Sequence, residues 1–291
     1  MLTVLLLACA PEPAPEVVPN TVAEEVAPGP ELARPKDAWI GKRVAEAEAR
    51  LGSSEAGQRL WNAMQAHGGL VTWYSGGPLR FRFDYRPVSG KRPRDTQNLV
   101  DPWSARAVHT TPSGARFGWD GSEAWTLVPE GVDFAMNARF WSLTPYYFVA
   151  IPFVLADPGV QLALEGQATF EGEPYDLLRA TFTDGTGDAP DDFYVLYLHP
   201  ETHHVRAIRY VVSYPGFYPE GGHGAEKLMA YDGAQNVGGV QLPTGFRTFT
   251  FDGTKAGELV TEIGFENVAF DPDAPESAFA KPEGATVQEG W

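Results

Sequence analysis

From Asp37 the apolar residues recur every three or four positions, with Ile40, Val44, Ala47 and Leu51 on one face and Gly52 as a stop. That spacing predicts a helix over 37–51 with Asp37 as its N-cap. Leu60, Ala63 and Met64 predict a second helix over 54–66, ended by His67-Gly68-Gly69. After it the period drops from 3.6 to 2. Leu79, Phe81, Phe83 and Tyr85 alternate with Arg80, Arg82 and Asp84, and Leu259, Thr261, Ile263 and Phe265 alternate with Glu258, Glu262 and Glu266. Such alternation describes strands with one oily and one wet face. The runs 193–198 and 205–212 are apolar at nearly every position, so part of the sheet is covered on both sides.

Asp-Gly follows strand-like residues at Asp120-Gly121, Asp184-Gly185, Asp232-Gly233 and Asp252-Gly253. The pair suits hairpin turns with positive φ at both central residues, and the set predicts an antiparallel meander. Phe140 to Ala156 contains no charged residue. Pro145 and Pro152 interrupt it, and at this length it is short for a membrane span. It reads instead as one or two short helices across the oily face, serving either as ordinary core or as the wall of an apolar cavity.

The 291 residues carry 38 acidic against 22 basic side chains, a net charge of −16, which argues against a nucleic-acid partner. A hydrophobic content of 43% excludes wholesale disorder, and a single Cys excludes internal disulfides and thiolate-rich metal sites. That Cys has a setting of its own. Leu6-Leu7-Ala8-Cys9 ends a short apolar run and resembles the lipobox of bacterial lipoproteins, although no Lys or Arg precedes the run. Residues 1–8 are then expected to be a signal peptide and Cys9 the lipidated residue; the alternative is an unmodified, partly buried N-terminus. The Pro- and Glu-rich stretch that follows predicts a disordered tether over 9–36, with a single domain over 37–291.

Catalytic signatures are sparse. The chain lacks G-x-S-x-G, H-E-x-x-H, C-x-x-C, P-loop and G-x-G-x-x-G motifs. His199, Glu201, His203 and His204 either bind a transition metal or form a solvated hairpin tip. Asp188, Asp191 and Asp192 offer oxygens to a hard cation or cap a turn. Arg139 enters the uncharged run and calls for a carboxylate partner, with Asp188, Asp191 and Asp192 as candidates, or else for a ligand headgroup. Tyr214 to His223 forms an aromatic loop, a type of segment that often binds ligands.

His67-Gly-Gly69, Trp119-Asp-Gly-Ser-Glu-Ala-Trp125, Asn137-Ala-Arg-Phe-Trp141, Gly187-Asp-Ala-Pro-Asp-Asp192, Pro200-Glu-Thr-His203 and Val240-Gln-Leu-Pro-Thr244 resemble a family of uncharacterised bacterial outer-membrane lipoproteins. At fold level the chain resembles the lipoprotein carriers and receptors of the Lol pathway. That resemblance implies an α+β fold: a curved antiparallel sheet, an incomplete barrel, with helices covering its apolar face. It also implies an outer-membrane location facing the periplasm or the surface, since Ala10 follows Cys9. The expected function is binding of a lipid or a lipoprotein acyl chain in a half-barrel, without a cofactor. Phe81, Phe83, Trp119, Trp125, Trp141, Tyr146, Tyr147 and Phe148 would line it, Asn137, Tyr214 and Tyr218 would contribute, and Arg139 would orient an anionic headgroup. A metal-assisted hydrolase acting on envelope polymers and a ligand-free scaffold are the rival readings.

Overall fold

A computed structural model describes residues 31–189 and 191–290. Cys9, the signal segment and the tether up to residue 30 lie outside the described residues. The packed body begins at Glu31, ahead of the expected boundary at 37. Ala33 is buried, its N–H donates to Ala274 O at 2.8 Å, and Glu31 O accepts from Glu276 N–H at 2.8 Å. Backbone pairing therefore anchors 31–33, part of a stretch that composition alone assigned to the tether.

Three helices come first: α1 (Asp37–Leu51), α2 (Glu55–Ala66) and α3 (Gly69–Ser75). Asp37 is the first helical residue of α1 rather than its cap, and Lys36 precedes it without a capping side chain. Ser54 does cap α2, accepting from Gly57 N–H at 3.0 Å. The unexpected element is α3. Gly68 and Gly69, at φ of +113° and +80°, reverse the chain so that Leu70, Trp73 and Tyr74 turn inward. Burial of those three side chains holds a segment too short to be helical alone.

Five strands follow: β1 (Leu79–Pro87), β2 (Arg94–Val100), β3 (Ala107–Thr110), β4 (Arg116–Trp119) and β5 (Ala124–Leu127). Helix α4 (Ala138–Ala150) and a 3-10 turn (Phe153–Ala156) divide them from β6 (Val160–Phe170), β7 (Glu173–Phe182), β8 (Phe193–Leu198), β9 (Val205–Tyr210) and β10 (Lys227–Asp232). A small hairpin, β11 (Gln235–Val237) and β12 (Val240–Leu242), precedes β13 (Gly245–Phe251), β14 (Ala256–Phe270), a 3-10 turn (Glu276–Phe279) and β15 (Thr286–Val287). Apart from β11 and β12, the strands form one antiparallel sheet of 13 in the order β15-β5-β4-β3-β2-β1-β14-β13-β10-β9-β8-β7-β6. Its two edge strands do not pair, so the barrel stays open. The fold is α+β, and the uncharged run forms α4 and the 3-10 turn across the sheet. Among the described residues no helix is long and apolar enough to cross a membrane.

Alternation behaves as chemistry requires. On β1, Phe81 and Phe83 are buried, while Arg82 on the wet face joins Asp95 of β2 and Glu266 of β14. Strands β7 to β10 are apolar on both faces: Tyr194, Leu196, Ile208 and Met229 face the helices, and Val195, Tyr197, Ala207 and Leu228 build a second cluster behind them. The turns differ from expectation. None of the four Asp residues in the Asp-Gly pairs has positive φ. Asp120 and Asp252 instead accept two backbone N–H bonds each, from Ser122 and Glu123 and from Thr254 and Lys255. The turns with positive φ at both central residues are Glu171-Gly172, joining β6 to β7, and Gly238-Gly239, joining β11 to β12.

Phe81, Phe265, Phe246 and Phe148 form a continuous aromatic layer, with successive centroids 5.8, 5.6 and 5.3 Å apart, that fills the middle of the hollow. Replacing Phe81 by Ala is expected to cost about 3–5 kcal/mol in urea unfolding. Phe217→Ala, at a 48% exposed ring, is expected to cost under about 1 kcal/mol.

Candidate functional site

Helix α4 is an improbable helix by composition. Phe, Trp, Tyr, Thr and Val dominate it, and Pro145 removes one backbone donor from its interior. Polar groups compensate. Asn137 caps it, accepting from Phe140 N–H at 2.9 Å, while Ser142 and Thr144 donate their hydroxyls to Ala138 O at 2.6 Å and Phe140 O at 2.7 Å. From the sheet, His109 Nε2 donates to Ser142 O at 2.9 Å, and the Tyr231 hydroxyl donates to Phe148 O at 2.9 Å. Tyr146 donates to Pro102 O at 3.2 Å. These bonds hold α4 across the sheet at both of its ends.

Arg139 occupies the first turn. Its guanidinium grips Asp188 in a bidentate pair at 2.6 and 2.7 Å, and its Cζ lies 3.2 Å from the centre of the Trp119 ring. Asp188 is thus the partner among the three candidates. That carboxylate pairs with the charge and fastens α4 to the loop between β7 and β8, while the buried Nη1 of Arg139 is left without a hydrogen-bond partner.

Between α4 and strands β7 to β9 lies a cavity of about 120 Å³. Leu143, Thr144, Tyr147 and Phe148 form its helical wall, Phe182, Tyr194 and Tyr210 its sheet wall, and Arg139, Asp188 and Asp192 its polar end. Burial pushes the Asp192 carboxyl up to about 6, against the pull of the Ser213 N–H that it accepts at 2.6 Å. Burial likewise pushes the Tyr147 phenol up to about 12. A second, wider cleft of about 650 Å³ lies on the other side of the N-terminal turn of α4, where Tyr85, Trp141, Phe217 and the hairpin between β1 and β2 meet. Phe140 lines the first cavity, Phe217 lines the second, and their rings touch at 4.8 Å with Tyr214 against both.

Of the expected lining residues, Arg139, Tyr147, Phe148 and Tyr214 reach the first cavity, and Asn137 and Trp141 reach the cleft. Phe81, Phe83 and Tyr146 are core, sealed by neighbouring rings. Trp125 is a correction: side chains alternate across β5, so it packs on the opposite sheet face with Ala33, Val108 and Phe279. Trp119 lies beneath Arg139, and Tyr218 folds back within its own loop with its N–H on Tyr214 O; neither lines these cavities. Phe182, Tyr194 and Tyr210 were not among the expected lining residues; the two-sided apolar character of 193–198 and 205–212 was the signal for the latter two.

The metal candidates do not converge on one another. His199 Nδ1 accepts the N–H groups of Glu201 and Thr202 at 3.2 Å each, which caps the hairpin. His203 takes the positive-φ position of that turn, at 61°. Asp188 holds Arg139, Asp192 holds Ser213, and Asp191 is exposed. Among the described residues no group of three or more His, Cys, Asp or Glu is placed to hold a metal.

An unclosed antiparallel sheet whose oily face is crossed by a helix can be compared with known structures. It superposes on a LolA superfamily protein from Nitrosomonas europaea with a TM-score of 0.51 and 13% identity, over 78% of this chain and 97% of that one. The fold is LolA-like. An outer membrane lipoprotein-sorting protein domain from Vibrio parahaemolyticus superposes with a TM-score of 0.50 and 10% identity, over 77% of this chain and 97% of that one. At such identities the likeness is one of fold. No protein-family model matches the sequence, and no curated protein matches it.

The LolA-like frame makes one titration informative. His109 is wholly buried, stacked on Phe117 at 4.5 Å, and burial pushes its imidazole down to about 4. Between pH 6.5 and 4 the unfolded chain takes up a proton that the folded His109 refuses, so acid destabilises the fold. His67, likewise near 4 through burial, acts in the same direction; Asp192, raised to about 6, acts oppositely. His109→Gln keeps a donor for Ser142 O and removes the titration. Urea unfolding at pH 7.5 and 5 is expected to show the wild type losing about 2 kcal/mol more than this variant over that interval.

Proposed function

We propose that the protein is a lipid-anchored cell-envelope binding protein that shelters an acyl chain, from a lipid or a lipoprotein, beneath α4. The observation that carries this reading is the unfilled space between Leu143 and Phe148 of α4 and Tyr194 and Tyr210 of the sheet. A packed domain ordinarily leaves few such voids. The cavity of about 120 Å³ compares with the roughly 150 Å³ cavity that admits benzene. It accepts a ring-sized group as it stands, and a longer chain enters as α4 moves away from the sheet. Each Å² of apolar surface buried contributes about 25 cal/mol, so a chain needs no elaborate polar site.

Two further observations support the reading. The solved structures of the same fold include one named for outer-membrane lipoprotein sorting. The Leu6-Leu7-Ala8-Cys9 sequence would place the body at a membrane, by acyl anchoring through Cys9 and an acidic tether. Leu143, Tyr147, Phe148, Phe182, Tyr194 and Tyr210 give the cavity a mainly apolar wall, which favours binding over catalysis. We place the protein at the outer membrane, its partners being that membrane and an acyl-bearing guest.

The anchor and the cavity are separately testable. Cys9→Ser is expected to move the protein from the membrane fraction to the soluble fraction; retention in the membrane fraction would count against acylation. Native mass spectrometry of protein purified from its own membranes should show a co-purifying lipid, and the purified protein should take up a fluorescent fatty acid. Leu143→Trp, which fills the void, is expected to lower that uptake about tenfold or more. Absence of both lipid and uptake in the wild type would overturn the reading.

A further inference from the structure

The wider cleft gathers three cationic side chains on one hairpin. Lys91, Arg92 and Arg94 stand together on the hairpin between β1 and β2 and line the cleft. In a chain with net charge −16, none of the three has a carboxylate partner among the described residues. Neighbouring arginines are matched: Arg82 with Asp95 and Glu266, Arg86 with Asp84, Arg106 with Asp101. Arg94 lies over the face of Trp141 at 4.9 Å, spends Nη1 on the carbonyls of Arg92 and Pro93, and leaves a buried Nε unbonded. Asp133, which shares the adjacent groove with Arg92, is paired with none of them.

The floor beneath these cations is apolar, built from Tyr85, Trp141, Leu259 and Val260. Its rim carries two exposed hydrophobic side chains, Val88 at 60% and Phe217 at 48%. A free inorganic anion would gain nothing from such a floor, and an uncharged lipid would gain nothing from three unpaired cations. An amphiphile with an anionic head uses both. The Phe140, Tyr214 and Phe217 rings touch one another where the two hollows approach, Phe140 and Tyr214 lining the α4 cavity and Phe217 the cleft.

We infer that the cleft receives the anionic headgroup and first carbons of an amphiphile whose remaining chain passes the Phe140–Phe217 contact into the α4 cavity. This inference rests on the acyl-binding reading and names the class of guest: a single-chain or exposed-chain lipid bearing phosphate or carboxylate. Lys91, Arg92 and Arg94 select the head, and Phe217 acts as the gate.

The test compares dodecyl phosphate, uncharged monolauroylglycerol and inorganic phosphate, titrated calorimetrically into the purified protein below micelle-forming concentrations. Dodecyl phosphate is expected to bind about tenfold more tightly than monolauroylglycerol. That preference should disappear in Lys91→Gln/Arg92→Gln, whose side chains are exposed and whose fold should be unaffected, while monolauroylglycerol affinity stays the same. Equal affinity of the two amphiphiles for the wild type, or a preference that survives in the variant, would overturn the headgroup assignment and leave the acyl cavity standing. Inorganic phosphate binding as tightly as dodecyl phosphate would overturn it in favour of a free-phosphate site. Failure of both amphiphiles to bind would remove the acyl-binding reading itself, and this inference with it.

Discussion

An antiparallel sheet that does not close must cover its oily face with something, and here a single helix poorly suited to being one does much of that work. Helix α4 has little intrinsic helicity, a proline inside it and no charged residue beyond Arg139. Its place depends on directional bonds from residues far away in sequence: Asp188 to Arg139, His109 to Ser142 O and Tyr231 to Phe148 O. Phe148 of α4 joins this attachment to the aromatic layer through Phe246, Phe265 and Phe81, so cover and sheet share one core.

The two hollows flanking the first turn of α4 divide polarity between them. The inner one is small and mostly apolar, and its one cation is neutralised by Asp188. The outer one is open, with an aromatic floor and unneutralised cations. In an acidic molecule that pairs most of its arginines, leaving three cations together unpaired has an electrostatic cost through mutual repulsion, and an anionic guest would offset it. The sharing of work is economical: the same turn of α4 that Arg139 pins on one side presents Trp141 to Arg94 on the other.

Much of the local structure was legible before any coordinates. The periodicity of 37–51, the alternation on β1 and β14, the two-sided strands β8 and β9 and the helical cover over 140–156 all follow from which side chains must leave water. Helix α3 was not legible, because its seven residues hold a single i, i+3, i+4 set (Leu70, Trp73 and Tyr74) behind two glycines, and so short a segment folds only against neighbours. The Asp-Gly turns were misread in their geometry, since an Asp side chain can cap a longer loop as well as occupy a tight hairpin. For the site, the sequence singled out Arg139 as needing an acid and offered Asp188 among its candidates. Trp125 was grouped with the lining aromatics by residue type, and only strand pairing set it on the opposite sheet face, with Val108 and Phe279.

By itself the sequence determined the class of fold, the sidedness of each long strand, the need for a cover over the sheet and the scarcity of catalytic groups. These depend on near neighbours and on the transfer of apolar surface from water, which composition and spacing record. Only the tertiary structure decided which strands pair across the long gap between β1 and β14, which rings fill the hollow and which stop short, and which arginines are neutralised. Charge pairing and void formation are properties of residues distant along the chain, such as Arg139 and Asp188, or Arg94 and Trp141. Their outcome follows from distances between atoms, and no local pattern encodes those.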